Sequence, residues 1–105
     1  DVAKGMGMDK RIGGKFLHPG PGYGGSCFPK DTRALTTVAD QFQVETLIVD
    51  AVIEANERQR NAMIPKIEKL VGDLSGKKIG VLGLSFKPET DDMRESPAVD
   101  IIKEM

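Results

Sequence analysis

The residues best suited to chemistry lie in the stretch GYGGSCFPKD, residues 22–31. It holds the single cysteine of the chain, Cys27, behind a Gly-Gly-Ser run, and a carboxylate, Asp31, four residues later. Glycines let a ligand approach the backbone closely. A helix is predicted to begin beside Cys27, and the free N–H groups and positive dipole end of a helix N-terminus favour the nucleophilic thiolate. The stretch therefore predicts a cysteine nucleophile.

Asp31 is expected one turn after Cys27 on the same helix face, where a carboxylate could hold water against whatever the thiol binds. The N–H groups of the glycine-rich loop could bind a phosphate or a developing oxyanion. Each feature has a simpler alternative on the residues alone. A lone cysteine is often a buried small hydrophobe, a glycine cluster can be a flexible turn, and an acidic residue can simply complement the helix dipole.

Composition narrows the class of protein. The 105 residues carry 15 Lys and Arg against 16 Asp and Glu, a formal net charge of -1 without a long basic run, so nucleic acid is not expected as a partner. One cysteine excludes an internal disulfide framework, and one histidine with scattered carboxylates gives no recognisable metal-ligand set. No apolar run reaches membrane length. We expect a cytoplasmic protein with neither a metal nor a membrane partner.

The elements that must position these residues are mainly helical. Eight of the 12 glycines fall at or before Gly25, which predicts largely irregular backbone in the first quarter. Apolar spacing then predicts one helix over about 29–42 and a long central helix from about 45, which Pro65 interrupts before it continues to about 74. The apolar stripe of the central helix is too wide for an isolated surface helix. Either further domains or a second copy of the chain must cover it.

The last part of the chain has the pattern of an α/β domain and no longer that of a helical one. Residues 79–84, rich in Ile, Val and Leu, are typical of a buried strand, and a polar loop follows. Ser96 as N-cap and Pro97 at the first helical position then predict a helix. A strand, loop and helix in that order open a Rossmann-like α/β domain, and too few residues remain to finish a parallel sheet. We therefore expect a piece of a longer protein, with a mainly α domain followed by the first β-α unit of a second domain.

Two motifs, GPGYGGSCFPKDTRAL and GVLGLSFKPETDDMRESPA, identify a resemblance. Together they resemble the UDP-glucose/GDP-mannose dehydrogenase family, and the resemblance extends over essentially the whole chain. It implies that residues 1–75 form a central helical domain with a substrate loop, and that residues 76–105 begin a UDP-sugar-binding domain. It also implies an NAD-dependent oxidation of the C6 alcohol of UDP-glucose to a carboxylate, with GDP-mannose as the nearest alternative substrate.

The resemblance also implies residue roles. Cys27 would be the nucleophile that forms a thiohemiacetal and then a thioester, Asp31 would help to activate water, and Arg94 would reach NAD. The substrate-binding residues implied are Arg11, Phe16, Leu17, Gly22, Tyr23, Gly24, Phe86 and Lys87. Without the resemblance, Lys87 and Arg94 would be interpreted as ordinary solvated charges.

Quaternary structure follows from the same resemblance. The central helix would pack against its mate in a homodimer, and Arg11 would reach a substrate bound by the neighbouring subunit. Because the family's N-terminal NAD domain is not in these residues, we expect the chain alone to be inactive. A different class of function, a non-catalytic helical dimerisation module, remains the alternative.

Overall fold

The computed structural model describes all 105 residues, and its regular structure is entirely helical. Five α-helices and one 3₁₀ helix follow in this order: α1 Val2–Gly7, the 3₁₀ helix Gly14–Leu17, α2 Phe28–Gln41, α3 Leu47–Asn61, α4 Met63–Val71 and α5 Pro97–Glu104. Helix α3 is central, because α2, α4 and α5 all pack against it. No helix combines the length and the apolar character needed to span a bilayer.

Helix α2 agrees with the predicted range to within a residue. Pro29 lies in its first turn, where the missing N–H of proline costs no hydrogen bond. Cys27 was expected within that first turn, but it is instead the N-cap residue, and its carbonyl oxygen accepts a hydrogen bond from the N–H of Asp31 at 2.8 Å. The shift follows from the cap geometry, since Phe28 is the first residue that continues the helix.

The long central helix is interrupted, as the sequence predicts. Helix α3 ends at Asn61, Ala62 joins the two segments, and α4 begins at Met63 with Pro65 in its first turn. Proline lacks the N–H that would bond to the carbonyl of Asn61 four residues earlier, so the helix restarts there. Gly72, with a φ of 75°, ends α4.

The strand predicted over residues 79–84 does not form in this chain. Residues 79–84 form no regular element, and Leu82 is fully exposed. A strand needs a neighbouring strand to pair its backbone N–H and C=O groups, and no other segment of the 105 residues supplies one. Only the helix of the expected β-α unit is present, α5, which begins at Pro97 after Ser96 as predicted.

Buried residues are few and concentrated. Gly25, Ser96 and Pro97 are buried where the glycine-rich loop meets the segment before α5, and Pro29 and Ala39 are the other buried residues. Helix α1 and the 3₁₀ helix pack against each other and against no other helix. The ordered centre of the chain is therefore the contact between the loop, α3 and the beginning of α5.

Candidate functional site

Side chains of α3 hold the glycine-rich loop by its backbone. The N–H of Tyr23 donates to Oδ1 of Asn56 at 2.7 Å, and Nδ2 of Asn56 donates back to the Tyr23 carbonyl at 3.2 Å. Arg60 donates to the same carbonyl through Nη2 at 2.8 Å, and Gln59 donates to the carbonyl of Gly20 at 2.8 Å. Because these bonds are made to peptide groups, they fix the path of the loop that leads to the cysteine.

Two glycines of the loop lie directly against the C-terminal segment. The N–H of Gly25 donates to the carbonyl of Arg94 at 2.9 Å. A Cβ on Gly24 would lie 2.2 Å from the carbonyl oxygen of Glu95, and one on Gly25 would lie 2.7 Å from the ring of Phe86. Gly25 also has a φ of 92°, which side chains rarely permit. The close approach of the two segments therefore requires glycine at both positions.

The thiol of Cys27 is open to solvent. The residue is exposed, and its Sγ lies 3.8 Å from Oγ of Ser26. The rings of Tyr23 and of Phe28, the residue after Cys27, pack edge to face with centroids 4.7 Å apart. This exposure contradicts the simpler alternative, a buried small hydrophobe, and leaves the sulfur accessible to a ligand.

Arg94 is held by a carboxylate of its own segment. Its Nε and Nη2 donate to the two oxygens of Asp92 at 2.9 and 2.8 Å, so Nη1 remains available for a ligand. The side chain and then the backbone N–H of Arg94 lower the pKa of Asp92 to about 2, with a smaller contribution from the Ser26 hydroxyl. Asp92 in turn raises the pKa of Arg94, and the charge of Cys27 adds slightly.

An open cleft of about 540 Å³ adjoins this arrangement. Its lining residues are Gly25, Ser26, Lys30, Arg33, Arg94 and Glu95. Arg33 donates two hydrogen bonds of 3.1 Å to the carboxylate of Glu95, which lowers the pKa of that carboxyl. Each of the three cations is paired with a carboxylate, but their remaining donors, with glycine backbone at the wall, suit a phosphate-bearing ligand such as a sugar nucleotide or a dinucleotide.

The structure brings most of the candidate residues together. Those at or around the contact of the two segments are Gly22, Tyr23, Gly24, Cys27, Phe86, Lys87 and Arg94. Lys87 places its Nζ 5.3 Å from the ring centroid of Phe86. Asp31 lies in the first turn of α2, is exposed, and has its carboxylate 3.2 Å from Nζ of Lys30. Its expected role in activating water stays a prediction.

Three candidates lie apart from this contact. Arg11 is exposed and pairs with Asp9 through two side-chain hydrogen bonds. Phe16 and Leu17 belong to the 3₁₀ helix, which packs only against α1, and Phe16 is exposed. Within one copy of the chain these three residues do not join the site. Their expected contact with a substrate, which for Arg11 is one in a neighbouring subunit, stays a prediction.

Sequence reasoning missed the residues that assemble the site. Asn56 and Arg60 hold the loop from α3, Asp92 fixes Arg94, and Arg33 ties α2 to Glu95. The signal that could have found the first two is a polar pair spaced i, i+4 on a helix whose other faces were assigned to packing. No three His, Cys, Asp or Glu residues of the chain lie close enough to hold a metal ion.

Comparison with known families gives two matches, one in each part of the chain. The central-domain model of the UDP-glucose/GDP-mannose dehydrogenase family matches residues 1–58, and the model of that family's UDP binding domain matches residues 80–105. A UDP-glucose 6-dehydrogenase of Rhizobium meliloti is 52% identical over 104 residues, which are 98% of this chain and 24% of the relative. One of Bacillus subtilis is 52% identical over 101 residues, covering 96% and 22%. The chain thus spans about a quarter of the length of these relatives.

Solved structures give the same result. The chain is similar to a UDP-glucose dehydrogenase from the archaeon Pyrobaculum islandicum, with a TM-score of 0.85 and 43% identity over 98% of this chain and 24% of that one. It is also similar to a GDP-mannose dehydrogenase of Pseudomonas aeruginosa, solved as a ternary complex, with a TM-score of 0.73 and 38% identity over 99% and 23%.

Proposed function

This chain belongs to the UDP-glucose/GDP-mannose dehydrogenase family, and from that premise we propose that the protein carrying it oxidises UDP-glucose to UDP-glucuronate in two NAD-dependent steps, with Cys27 as the nucleophile. The observation that carries the proposal is the contact between the two family motifs. The Gly25 N–H bonds to the Arg94 carbonyl, and the exposed thiol lies beside that contact. An accessible sulfur and a cation-lined cleft at one place suit covalent chemistry on a phosphate-bearing substrate.

Domain organisation is part of the proposal. Residues 1–75 form the central helical domain with the substrate loop, and residues 76–105 begin the UDP-sugar-binding domain. The matched ranges, 1–58 and 80–105, support a boundary in this region. In the intact protein the exposed residues 79–84 then become the first strand of a Rossmann-like sheet, because neighbouring strands would pair their free backbone groups.

Cys27 acts on the aldehyde produced by the first oxidation. Its thiolate adds to C6 of the aldehyde, the carbonyl electron pair moves to oxygen, and protonation gives a thiohemiacetal. Loss of a hydride from C6 and of the hydroxyl proton converts this into a thioester. Water then adds to the thioester carbonyl, the C–S bond breaks, and the carboxylate leaves while Cys27 regains its thiolate. NAD supplies the hydride acceptor for both oxidations.

Other residues bind and assist. Asp31 takes a proton from the attacking water, which its exposed position one turn beyond Cys27 allows. Arg94 would meet NAD through its available Nη1. Phe86, Lys87 and the loop residues Gly22, Tyr23 and Gly24 contact the sugar nucleotide, together with Phe16 and Leu17.

We include a homodimer in the proposal. Leu47 and Ile48 at the beginning of α3 are 70% and 82% exposed, which leaves an apolar surface on the central helix without a partner in one copy. Packing of two such helices would cover it, and Arg11 would then act on the substrate of the neighbouring subunit.

The test is turnover by the intact protein with NAD and either UDP-glucose or GDP-mannose. We expect two NADH per UDP-glucose consumed. Cys27→Ser should lower kcat more than about 100-fold, because a serine hydroxyl is far less nucleophilic near neutral pH than a thiol that can ionise. Thr37→Ala, a remote hydroxyl on the same helix, is the control and should retain the wild-type rate.

GDP-mannose is the second candidate substrate because the similar Pseudomonas aeruginosa structure is a GDP-mannose dehydrogenase. A higher kcat/KM with GDP-mannose would assign the chain to that activity. Turnover of neither nucleotide sugar by a well-folded dimer would contradict the proposal and favour a non-catalytic dimerisation module.

A further inference from the structure

Arg60 connects three separate parts of the chain. Its side chain is only 12% exposed, although it carries a permanent charge and belongs to a helix in which no residue is fully buried. Through Nη1 it pairs with the carboxylate of Asp100 on α5. Through Nη2 it donates to the carbonyl of Tyr23 at 2.8 Å and to the carbonyl of Glu95 at 3.2 Å. One guanidinium thus joins α3, the glycine-rich loop and the segment that precedes α5.

The two carbonyls that Arg60 binds enclose the contact between the family motifs. Tyr23 immediately precedes Gly24, and Glu95 immediately follows Arg94. Between them lie the hydrogen bond from Gly25 to Arg94 and the close approach of Gly24 to Glu95. Anything that separates the two carbonyls must therefore also separate the peptide carrying Arg94 from the loop that leads to Cys27.

We propose that Arg60 is a positioning residue, which holds the Tyr23 and Glu95 peptides together and thereby fixes the thiol of Cys27 relative to Arg94. This inference deepens the proposed function and rests on it for its consequence in catalysis. Arg60 itself touches neither the thiol nor the cleft and acts through the backbone of its neighbours.

The chemistry of arginine suits this position. A guanidinium is planar and presents donors in a fixed fork, so one side can meet a carboxylate while the other meets two carbonyls. A lysine ammonium is a compact point charge on a flexible stem and does not reproduce that fork. The side chain of Asp100 offsets the charge that Arg60 brings into a largely enclosed site, so the pair forms one unit.

The other ion pairs near this contact involve arginines that are more exposed than Arg60. The side chains of Arg33 and Glu95 are 51% and 40% exposed, and Arg94 is 71% exposed where it pairs with Asp92. Exposed ion pairs are screened by water and salt and contribute little. The part-buried contacts of Arg60 with Tyr23 and Asp100 are therefore expected to control the geometry of the contact, together with the part-buried Asn56–Tyr23 hydrogen bonds, and the exposed ion pairs are minor supports.

The experiment compares Arg60→Met with Arg58→Met in the intact protein. Arg58 lies on the same helix, is 76% exposed, and pairs only with Glu54 one turn away. Arg58→Met therefore removes one positive charge, as Arg60→Met does, but removes no contact with the loop. Three quantities are measured: the hydrogen exchange rate of the Gly25 amide, and kcat and KM for UDP-glucose with NAD. The exchange rate reports the contact with Arg94 directly and needs no turnover.

We expect Arg60→Met to accelerate exchange of the Gly25 amide at least about tenfold and to lower kcat by about 10- to 100-fold, the range that misplacement of a reacting group by about 1 Å produces. KM for UDP-glucose should change less than kcat, because the loss is of alignment. Arg60→Lys should not restore kcat. Arg58→Met should stay within about twofold of wild type in every quantity.

Asp100→Asn keeps Arg60 and weakens only its Nη1 contact, so it should shift both readouts in the same direction by a smaller factor. If Arg60→Met does not fold, the exchange rate of the Gly25 amide in Asp100→Asn tests the proposal instead. Exchange of the Gly25 amide at the wild-type rate in both Arg60→Met and Asp100→Asn would overturn the proposal. If the wild-type protein oxidises neither nucleotide sugar, the proposed function fails, but the exchange rates still decide whether Arg60 holds the contact.

Discussion

Two regions of the chain carry family motifs, and they differ in how far the 105 residues can order them. The loop–segment contact, which comprises residues 20–27 and 92–97, is held by hydrogen bonds from α3 and by glycine packing. Residues 79–84 are apolar, form no element and are exposed. The chain itself supplies both partners of the polar contacts that hold the loop. It supplies no neighbouring strand for the backbone N–H and C=O groups of residues 79–84.

The same difference separates the two ends of α3. Its C-terminal half binds the loop through Asn56 and Arg60, while Leu47 and Ile48 at its N-terminus remain exposed. Apolar surface is stabilising only when something covers it. Hydrogen bonds within the chain therefore fix the geometry of the site. The exposed apolar surfaces indicate where other parts of an assembly would pack.

The strongest way to break the first region is to add a methyl group to Gly24. A Cβ there would overlap the Glu95 carbonyl, which is backbone and cannot rotate away, so Gly24→Ala should cost about 1–3 kcal/mol and lower activity of the intact protein at least about 100-fold. Urea unfolding and NADH formation measure the two effects. Gly20→Ala is the control, since no atom lies within 4 Å of its Cβ position. Equal behaviour of the two variants would contradict the close packing.

Acid should weaken the same region through Asp92. Its folded pKa of about 2 is below its ordinary value of 3.8, so its pairing with Arg94 stabilises the fold above 3.8 and is lost as pH falls from about 3.8 to about 2. Asp92→Asn should unfold with a smaller pH dependence in that window, as followed by urea midpoints at pH 5, 3 and 2. Asp91→Asn, an exposed neighbour, should keep the wild-type response. If the urea midpoint depended on pH in Asp92→Asn as it does in the wild type, the Asp92–Arg94 pair would contribute nothing to stability.

Within the 105-residue chain, the smallest effect is expected in the second region. Leu82→Ser removes a fully exposed side chain, so in the 105-residue chain the free energy of unfolding should change by less than about 0.5 kcal/mol. In the intact protein, where a sheet would bury the leucine, the same change should cost about 2–5 kcal/mol. Calorimetry of both forms makes the comparison. A large loss in the short chain would mean that Leu82 is already buried there.

The helices could be predicted because their signals are local. The spacing of Leu35, Val38 and Phe42 indicated α2, Ser96 and Pro97 marked the beginning of α5, and Pro65 indicated the break in the central helix. Cys27 could be singled out for a similar reason, since its glycine neighbours and the helix after it are adjacent in sequence.

The assembly of the site could not be predicted from such signals. Asn56 and Arg60 bind peptide groups 33 and 37 residues away, and a hydrogen bond to the backbone places no requirement on the type of residue at the other end. The strand predicted over 79–84 does not form, for a different reason. Its pattern is local, but its formation depends on partner strands that the 105 residues do not contain.

The most direct test of the central claim is the alkylation rate of Cys27 by iodoacetamide in the intact protein, followed by mass spectrometry with and without excess UDP-glucose. The account predicts that UDP-glucose slows alkylation markedly and that Gly24→Ala abolishes this protection, because the loop and the C-terminal segment together form the site around the thiol. A rate that is indifferent to the sugar nucleotide in the wild-type protein would contradict Cys27 as the nucleophile of a nucleotide-sugar dehydrogenase.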